Sequence, residues 1–250
     1  FDANDMPYMV KPSAFLEDWD LIETEVMRKT YPLSDGSGRV MGITMTVCDS
    51  GGYSREKGEN TTAMAYDFYR TLRKKGIASR FHLVKGHGSQ YAPTTQINFP
   101  DATRKNSMTI ARGDVPVLML NSNLLKDTLS NRLDVTVPAH GMVSFPSWLP
   151  MDFYQELCNE VRLSKGWEKI NKRQNEAWDL LYYCMGVAVS RLMLIDREDW
   201  NNPSPRYADW DKNPMVFKQV AEDGVNGDND VLVSDDGSLS WDDLNKRFTE

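Results

Sequence analysis

Cysteine and histidine are scarce in this chain, with three of each in 250 residues. Cys48, Cys158 and Cys184 show no paired spacing, which excludes a disulfide scaffold and fits a reducing cytoplasm. No CxxC pair or His/Cys cluster offers zinc a site. His82, His87 and His140 are scattered over strand and loops, so a histidine-based triad has little support, and His82 alternates within a strand as a packed or solvated residue would. No GxxxxGK[ST] or GxGxxG loop is present to cradle nucleotide phosphates. The most apolar stretch, residues 180–190, is too short to cross a bilayer and is bracketed by Asp179 and Arg191. No internal repeat and no signal peptide are visible. The chain opens at Phe1 without a Met, as a fragment or a processed chain would.

What is present is ordinary globular composition: 40% hydrophobic and 26% charged residues, enough to bury a large core without staples. The net charge of -7 is unevenly spread. Residues 1–195 carry 23 Lys and Arg against 22 Asp and Glu, whereas residues 196–250 carry 6 against 14. Residues 55–112 hold 11 basic and 4 acidic groups, so this stretch either faces a phosphate backbone or forms a solvated basic face.

Hydrophobic spacing predicts a helix over Phe15–Met27 with Phe15, Trp19, Ile22 and Val26 inward and Ser13 as N-cap. Pro32 and the run Ser34–Gly38 then turn the chain. Arg39–Cys48 (RVMGITMTVC) reads as one mostly apolar strand, central in a sheet, ending in the break Asp49-Ser50-Gly51-Gly52. Thr61–Lys75 reads as a helix with Ala65, Phe68, Tyr69 and Leu72 inward, basic residues in its last turn and Gly76 just beyond. Arg80–Lys85 is a second strand, completing a strand–helix–strand unit of the parallel kind. Residues 86–107 read as a long loop, Val115–Leu120 as a strand, Leu124–Leu133 as a helix and Val143–Phe145 as a short edge strand. Met151–Leu163 is amphipathic at helical spacing, with Phe153, Leu157 and Val161 inward. A basic linker, Lys165 to Arg173, leads to a buried helix from Asn175 to about Ile195. From Asp196 onward, acidic residues, prolines and Asp-Gly steps predict an extended or partly disordered tail.

Two carboxylates stand out. Asp49 closes a strand whose carboxyl end is where ligands bind in parallel α/β sheets, and two glycines follow it. An Asp that merely initiates a turn gives the same pattern. Asp179 lies at the start of a core helix, where a carboxylate must be paired, protonated or metal-bound. Lys172 or Arg173 is the nearest candidate for a plain salt bridge. Two carboxylates on a strand end and a helix, beside a basic surface, are parts that two-metal phosphodiester hydrolysis requires.

The stretches VCDSGG (47–52), AYDFYRTLRKKG (65–76), LVKG (83–86), DVPVLMLNSNLLKDTLSNRL (114–133), SWLPMDFYQELCNEVR (147–162) and NEAWDLLYYCMGVA (175–188) occur in an order and spacing that resemble the C-terminal nuclease domain of the GpA-type terminase large subunit of tailed bacteriophages. The resemblance covers roughly residues 10–200. It implies an α/β, RNase H-like fold, a mixed sheet flanked by helices, over residues 1–195; the acidic, loosely structured C-terminal tail over residues 196–250 is read from composition and lies outside the resemblance. It implies a metal-dependent DNA endonuclease that cuts concatemeric viral DNA during packaging, using Mg²⁺ or Mn²⁺ in a two-metal site. Asp49 matches the family's second acidic position and Asp179 its last, both catalytic and metal-binding. Lys85 matches the Lys of a Lys-Gly step near DNA, and Lys172 and Arg173 are placed to hold phosphates. Implied partners are double-stranded viral DNA, the terminase small subunit, the portal protein and an upstream ATPase domain of the same polypeptide, in the host cytoplasm and with no membrane.

The family's first acid sits on a strand upstream of the helix near Phe15, and only Phe1–Lys11 precedes that helix here. That strand and its Asp, and the ATPase domain, are therefore expected to be missing from this chain. Asp2 and Asp5 sit on no patterned strand, and Glu176, one turn from Asp179, is the remaining candidate for a substitute oxygen. The alternatives are a catalytically incomplete DNA-binding or packaging-motor module that lacks the first acid, and a related RNase H-like enzyme such as a resolvase.

Overall fold

The computed structural model describes residues 10–51, 60–100, 113–139 and 141–218. In chain order the strands are β1 (Thr30–Pro32), β2 (Arg39–Gly42), β3 (Thr46–Asp49), β4 (Phe81–Gly86), β5 (Thr95–Asn98), β6 (Val117–Leu120), β7 (Glu160–Leu163), β8 (Gly166–Lys169) and β9 (Val216–Lys218). The α-helices are α1 (Thr61–Lys74), α2 (Ser122–Leu133), α3 (Met151–Leu157), α4 (Glu176–Val189) and α5 (Pro205–Ala208). The architecture is the expected α/β one, with a mixed sheet flanked by helices. That sheet has the order β3-β4-β6-β5, and β1-β2-β9 and β7-β8 form two smaller sheets. The chain divides into two compact units, Phe1–Leu83 with Phe99–Val115 and Glu198–Glu250, and Val84–Asn98 with Pro116–Arg197.

In the first unit the predicted helix over 15–27 is instead a 3-10 turn, Glu17–Trp19, followed by a π-helical turn, Ile22–Met27, with no side-chain cap on either. Its inward residues are Trp19, Glu23 and Met27, while Phe15 and Val26 are exposed. The π register carries the Arg28 amide back to the Glu23 carbonyl, and Glu23 lies buried with its carboxylate 2.7 Å from both Arg28 and Lys75. The ion-paired Glu23 thus faces inward, where hydrophobic spacing pointed to its neighbour Ile22.

The strand predicted over 39–48 is also two strands in two sheets. β2 pairs antiparallel with β1 and with β9 (Tyr31 opposite Met41, Val40 opposite Phe217), whereas β3 lies at the edge of the four-stranded sheet. Between them the Ile43 carbonyl leaves the ladder and accepts from Arg80, which also donates to the Met27 carbonyl. Arg80 is buried, and burial pulls its guanidinium down to about 10, still protonated at neutral pH. β9 also brings residues of the predicted tail into a sheet; residues 219–250 lie outside the described residues.

Helix α1 follows its sequence signals closely. Asn60 caps it by accepting from the Ala63 amide at 3.0 Å, and Gly76, at φ +76°, reverses the chain. The Gly76 and Ile77 amides return to the Arg73 and Leu72 carbonyls, which satisfies the last turn. Its buried face, Ala65, Phe68, Tyr69 and Leu72, matches the prediction, and Phe68 meets Phe81 edge-on at 5.2 Å.

In the second unit, β5 occupies part of the predicted 86–107 loop and runs antiparallel to β6, with Ile97 opposite Leu118. Buried Asn121 ends β6: its Oδ1 caps α2 at the Leu124 amide, and its Nδ2 donates to the Gln90 and Ala92 carbonyls. Residues 143–145 form no strand. The predicted helix over 151–163 stops at Leu157, and the antiparallel hairpin β7–β8 follows, pairing Arg162 with Trp167. Helix α4 ends at Val189 rather than near Ile195, because the Ser190 hydroxyl turns back to the Val187 carbonyl and accepts from the Leu192 amide. Two glycines allow close packing here. A Cβ at Gly86 would lie 2.7 Å from Ser122 Oγ, and one at Gly186 would lie 2.7 Å from a Leu120 methyl.

Candidate functional site

Asp49 is the last residue of β3, and its side chain is exposed. Its Oδ1 accepts the Gly51 amide at 2.7 Å, so one carboxylate oxygen closes the turn that leaves the strand. A Cβ at position 51 would sit 3.1 Å from that oxygen, which suits glycine there. The next amino acid in the turn, Ser50, is buried, and its carbonyl accepts the Thr62 hydroxyl, fixing the turn to the start of α1. Burial, with the Asp49 charge adding to it, pushes the neighbouring Cys48 thiol up to about 11. Cys48 therefore stays protonated at neutral pH and is no nucleophile.

Asp179 belongs to the second unit, on the first turn of α4. That helix starts without a cap from its own N-cap residue, Asn175. Glu156, at the end of α3, supplies one by accepting the Ala177 amide at 2.7 Å, while Asn159 donates to the Gln174 carbonyl. With its start fixed from outside, α4 presents Asp179 to Lys126 and Asn175, with Glu160 behind them. Lys126 Nζ, from α2, lies 2.7 Å from Asp179 Oδ1 and 2.9 and 2.8 Å from the two oxygens of Glu160 on β7. Asn175 Nδ2 donates to Asp179 Oδ2 at 3.1 Å and to Glu160 Oε1. The Lys126 ammonium also stands 4.9 Å from the centre of the Tyr182 ring. Side-chain exposure is 7% for Lys126, 5% for Glu160 and 25% for Asp179, so Asp179 is the member open to solvent.

The structure therefore pairs Asp179 with Lys126 rather than with Lys172 or Arg173, and joins it to Glu160 rather than to the exposed Glu176. Sequence reasoning missed both Lys126 and Glu160. Lys85, near the end of β4, is exposed. Lys172 and Arg173 are exposed in the turn after β8, where Asn171 and Lys172 have φ near +50 to +60°. Much of the basic stretch over 55–112 is taken up within the first unit. Arg70 and Arg73 both reach Asp114, Lys75 reaches Glu23, and Arg80 is buried. Asp2, Asp5 and His140 lie outside the described residues.

The donors around Asp179 are carboxylate oxygens and an amide oxygen. Asn175 Oδ1 is buried with no hydrogen-bond partner among the described residues. Oxygen donors of this kind suit a hard divalent cation. Among the described residues no three His, Cys, Asp or Glu side chains gather as a metal-holding group. No helix among them is long and apolar enough to cross a membrane.

The fold is a mixed α/β one, and Asp179 is a half-open carboxylate paired with a buried lysine. The family model for the terminase large subunit gpA endonuclease domain matches residues 8–200, and the chain belongs to that family. No curated protein and no solved structure matches the chain.

Proposed function

We propose that this chain is the divalent-metal-dependent DNA endonuclease domain of a phage DNA-packaging terminase, cutting concatemeric double-stranded viral DNA. The family match over residues 8–200 carries the reading. Asp49 and Asp179 are the metal-binding, catalytic carboxylates, and Lys85, Lys172 and Arg173 meet backbone phosphates. When bound, Mg²⁺ or Mn²⁺ would activate water and stabilise the leaving oxygen of the phosphodiester. The protein's part is to hold the carboxylates in place: Asp179 from Lys126 and Asn175, Asp49 from the Gly51 amide. The exposed lysines and arginine give affinity without sequence preference, and that affinity falls with salt. The terminase small subunit and the portal protein are the partners that this role implies, with an ATPase domain of the same polypeptide and the host cytoplasm as setting.

Nicking of supercoiled plasmid with Mn²⁺ or Mg²⁺ tests the reading, comparing the chain with Asp49→Asn and Asp179→Asn. Metal-dependent cutting that both substitutions abolish supports it. Equal cutting by all three proteins rejects the two carboxylates. A second reading, a DNA-binding module that does not cut, is favoured by the ion pair that already occupies Asp179 Oδ1. It predicts salt-sensitive DNA binding with no cutting in either metal.

A further inference from the structure

Glu160 and Lys126 are more deeply buried than the carboxylate they support. One ammonium is shared between two carboxylates, with Asn175 Nδ2 donating to the same pair. The three ionised groups sum to one negative charge, and Asp179 is the one of them with a substantial solvent-facing surface. Lys126 is held on its other side by the Tyr182 ring, whose hydroxyl accepts from Ser122 at 3.2 Å. α2, β7 and α4 thus fix the ammonium, and the ammonium fixes one oxygen of Asp179.

We propose that Lys126 is a positioning residue for Asp179, and that Glu160 sets how strongly it acts. The Lys126 ammonium orients the Asp179 carboxylate and competes with an incoming cation for it, while Glu160 draws part of that positive charge away. This rests on the reading of Asp179 as a metal ligand. It has a signature in the sign of two substitutions. Lys126→Met leaves two carboxylates facing each other without their ammonium, so a divalent cation is held more tightly. Glu160→Gln keeps the shape but leaves the ammonium to Asp179 alone, so the cation is held more weakly. A role limited to holding the fold would loosen the site in both variants and shift binding the same way.

The experiment is calorimetric Mn²⁺ titration of the full chain in four forms: unaltered, Lys126→Met, Glu160→Gln and Asp179→Asn, each checked for folding by circular dichroism. The expected result is a dissociation constant about tenfold lower for Lys126→Met and about tenfold higher for Glu160→Gln, with binding lost in Asp179→Asn. If Lys126→Met does not fold, the double variant Lys126→Met with Glu160→Gln replaces it and is expected to recover the affinity lost by Glu160→Gln alone. Shifts of the same sign, or no shift in either variant while Asp179→Asn abolishes binding, overturn the positioning role. Unchanged binding in Asp179→Asn overturns the metal reading of Asp179, and the positioning role falls with it.

Discussion

Asp49 and Asp179 are held in opposite ways. Asp49 is exposed, and its carboxylate accepts from an amide two residues away, so the turn Asp49-Ser50-Gly51 is largely written in those residues themselves. Asp179 is fixed by Lys126 from one element and Asn175 beside its own helix, with Glu160 from a third behind them. The first arrangement is local and cheap to form. The second depends on the fold of its whole unit, and it buries charge that is tolerable only while all its members are present.

That contrast is sharpest in stability. Lys126→Met leaves buried Glu160 without its cation, and urea unfolding should show a loss of about 3–5 kcal/mol. A loss no larger than that of a surface lysine would mean the network is not buried in solution. Gly86→Ala adds a methyl 2.7 Å from Ser122 Oγ, in the same unit, and should cost about 1–3 kcal/mol by overpacking. Asp49→Asn retains a side-chain oxygen for the Gly51 amide and should change unfolding by no more than about 0.5 kcal/mol. A large loss there would give Asp49 a structural role that its exposure does not suggest.

Acid offers a gentler probe of the first unit. Burial raises the Glu23 carboxyl, but hydrogen bonds and charge from Lys75 and Arg28 outweigh it and leave it below its ordinary 4.5. Hydrogen bonding from Arg70 likewise lowers Asp114. A lowered carboxylate contributes stability that is fully present above the unfolded value and lost as pH falls through the folded one. Stability should therefore decline below about pH 4.5, and Glu23→Gln should flatten part of that decline in melts recorded across the range.

The parts legible in the sequence are those governed by neighbours along the chain. Helix α1 carries its stop signal in Gly76 and its buried face in a regular spacing, and Asp49-Ser50-Gly51 announces its own turn. The site around Asp179 was legible only as a carboxylate in need of a partner. Its partners were hidden because helical spacing of Phe153, Leu157 and Val161 runs on past the true end of α3, which placed Glu160 on a helix instead of on β7. Ser164, Lys165 and Gly166 were the overlooked turn signal. Lys126 gives no signal at all, since a lysine in an amphipathic helix reads as solvated. β5 escaped notice because its residues are only half-buried or exposed, without the apolar alternation of a strand on a core, and β9 because its partner β2 lies far away in sequence.

Anomalous scattering from a crystal of the full chain soaked in Mn²⁺ tests the central assignment most directly. The expected result is an ion bonded to a carboxylate oxygen of Asp179, displacing Lys126 or Asn175 from it. Saturating Mn²⁺ that leaves Asp179 bound only to Lys126 and Asn175, with ions elsewhere or none, would contradict it.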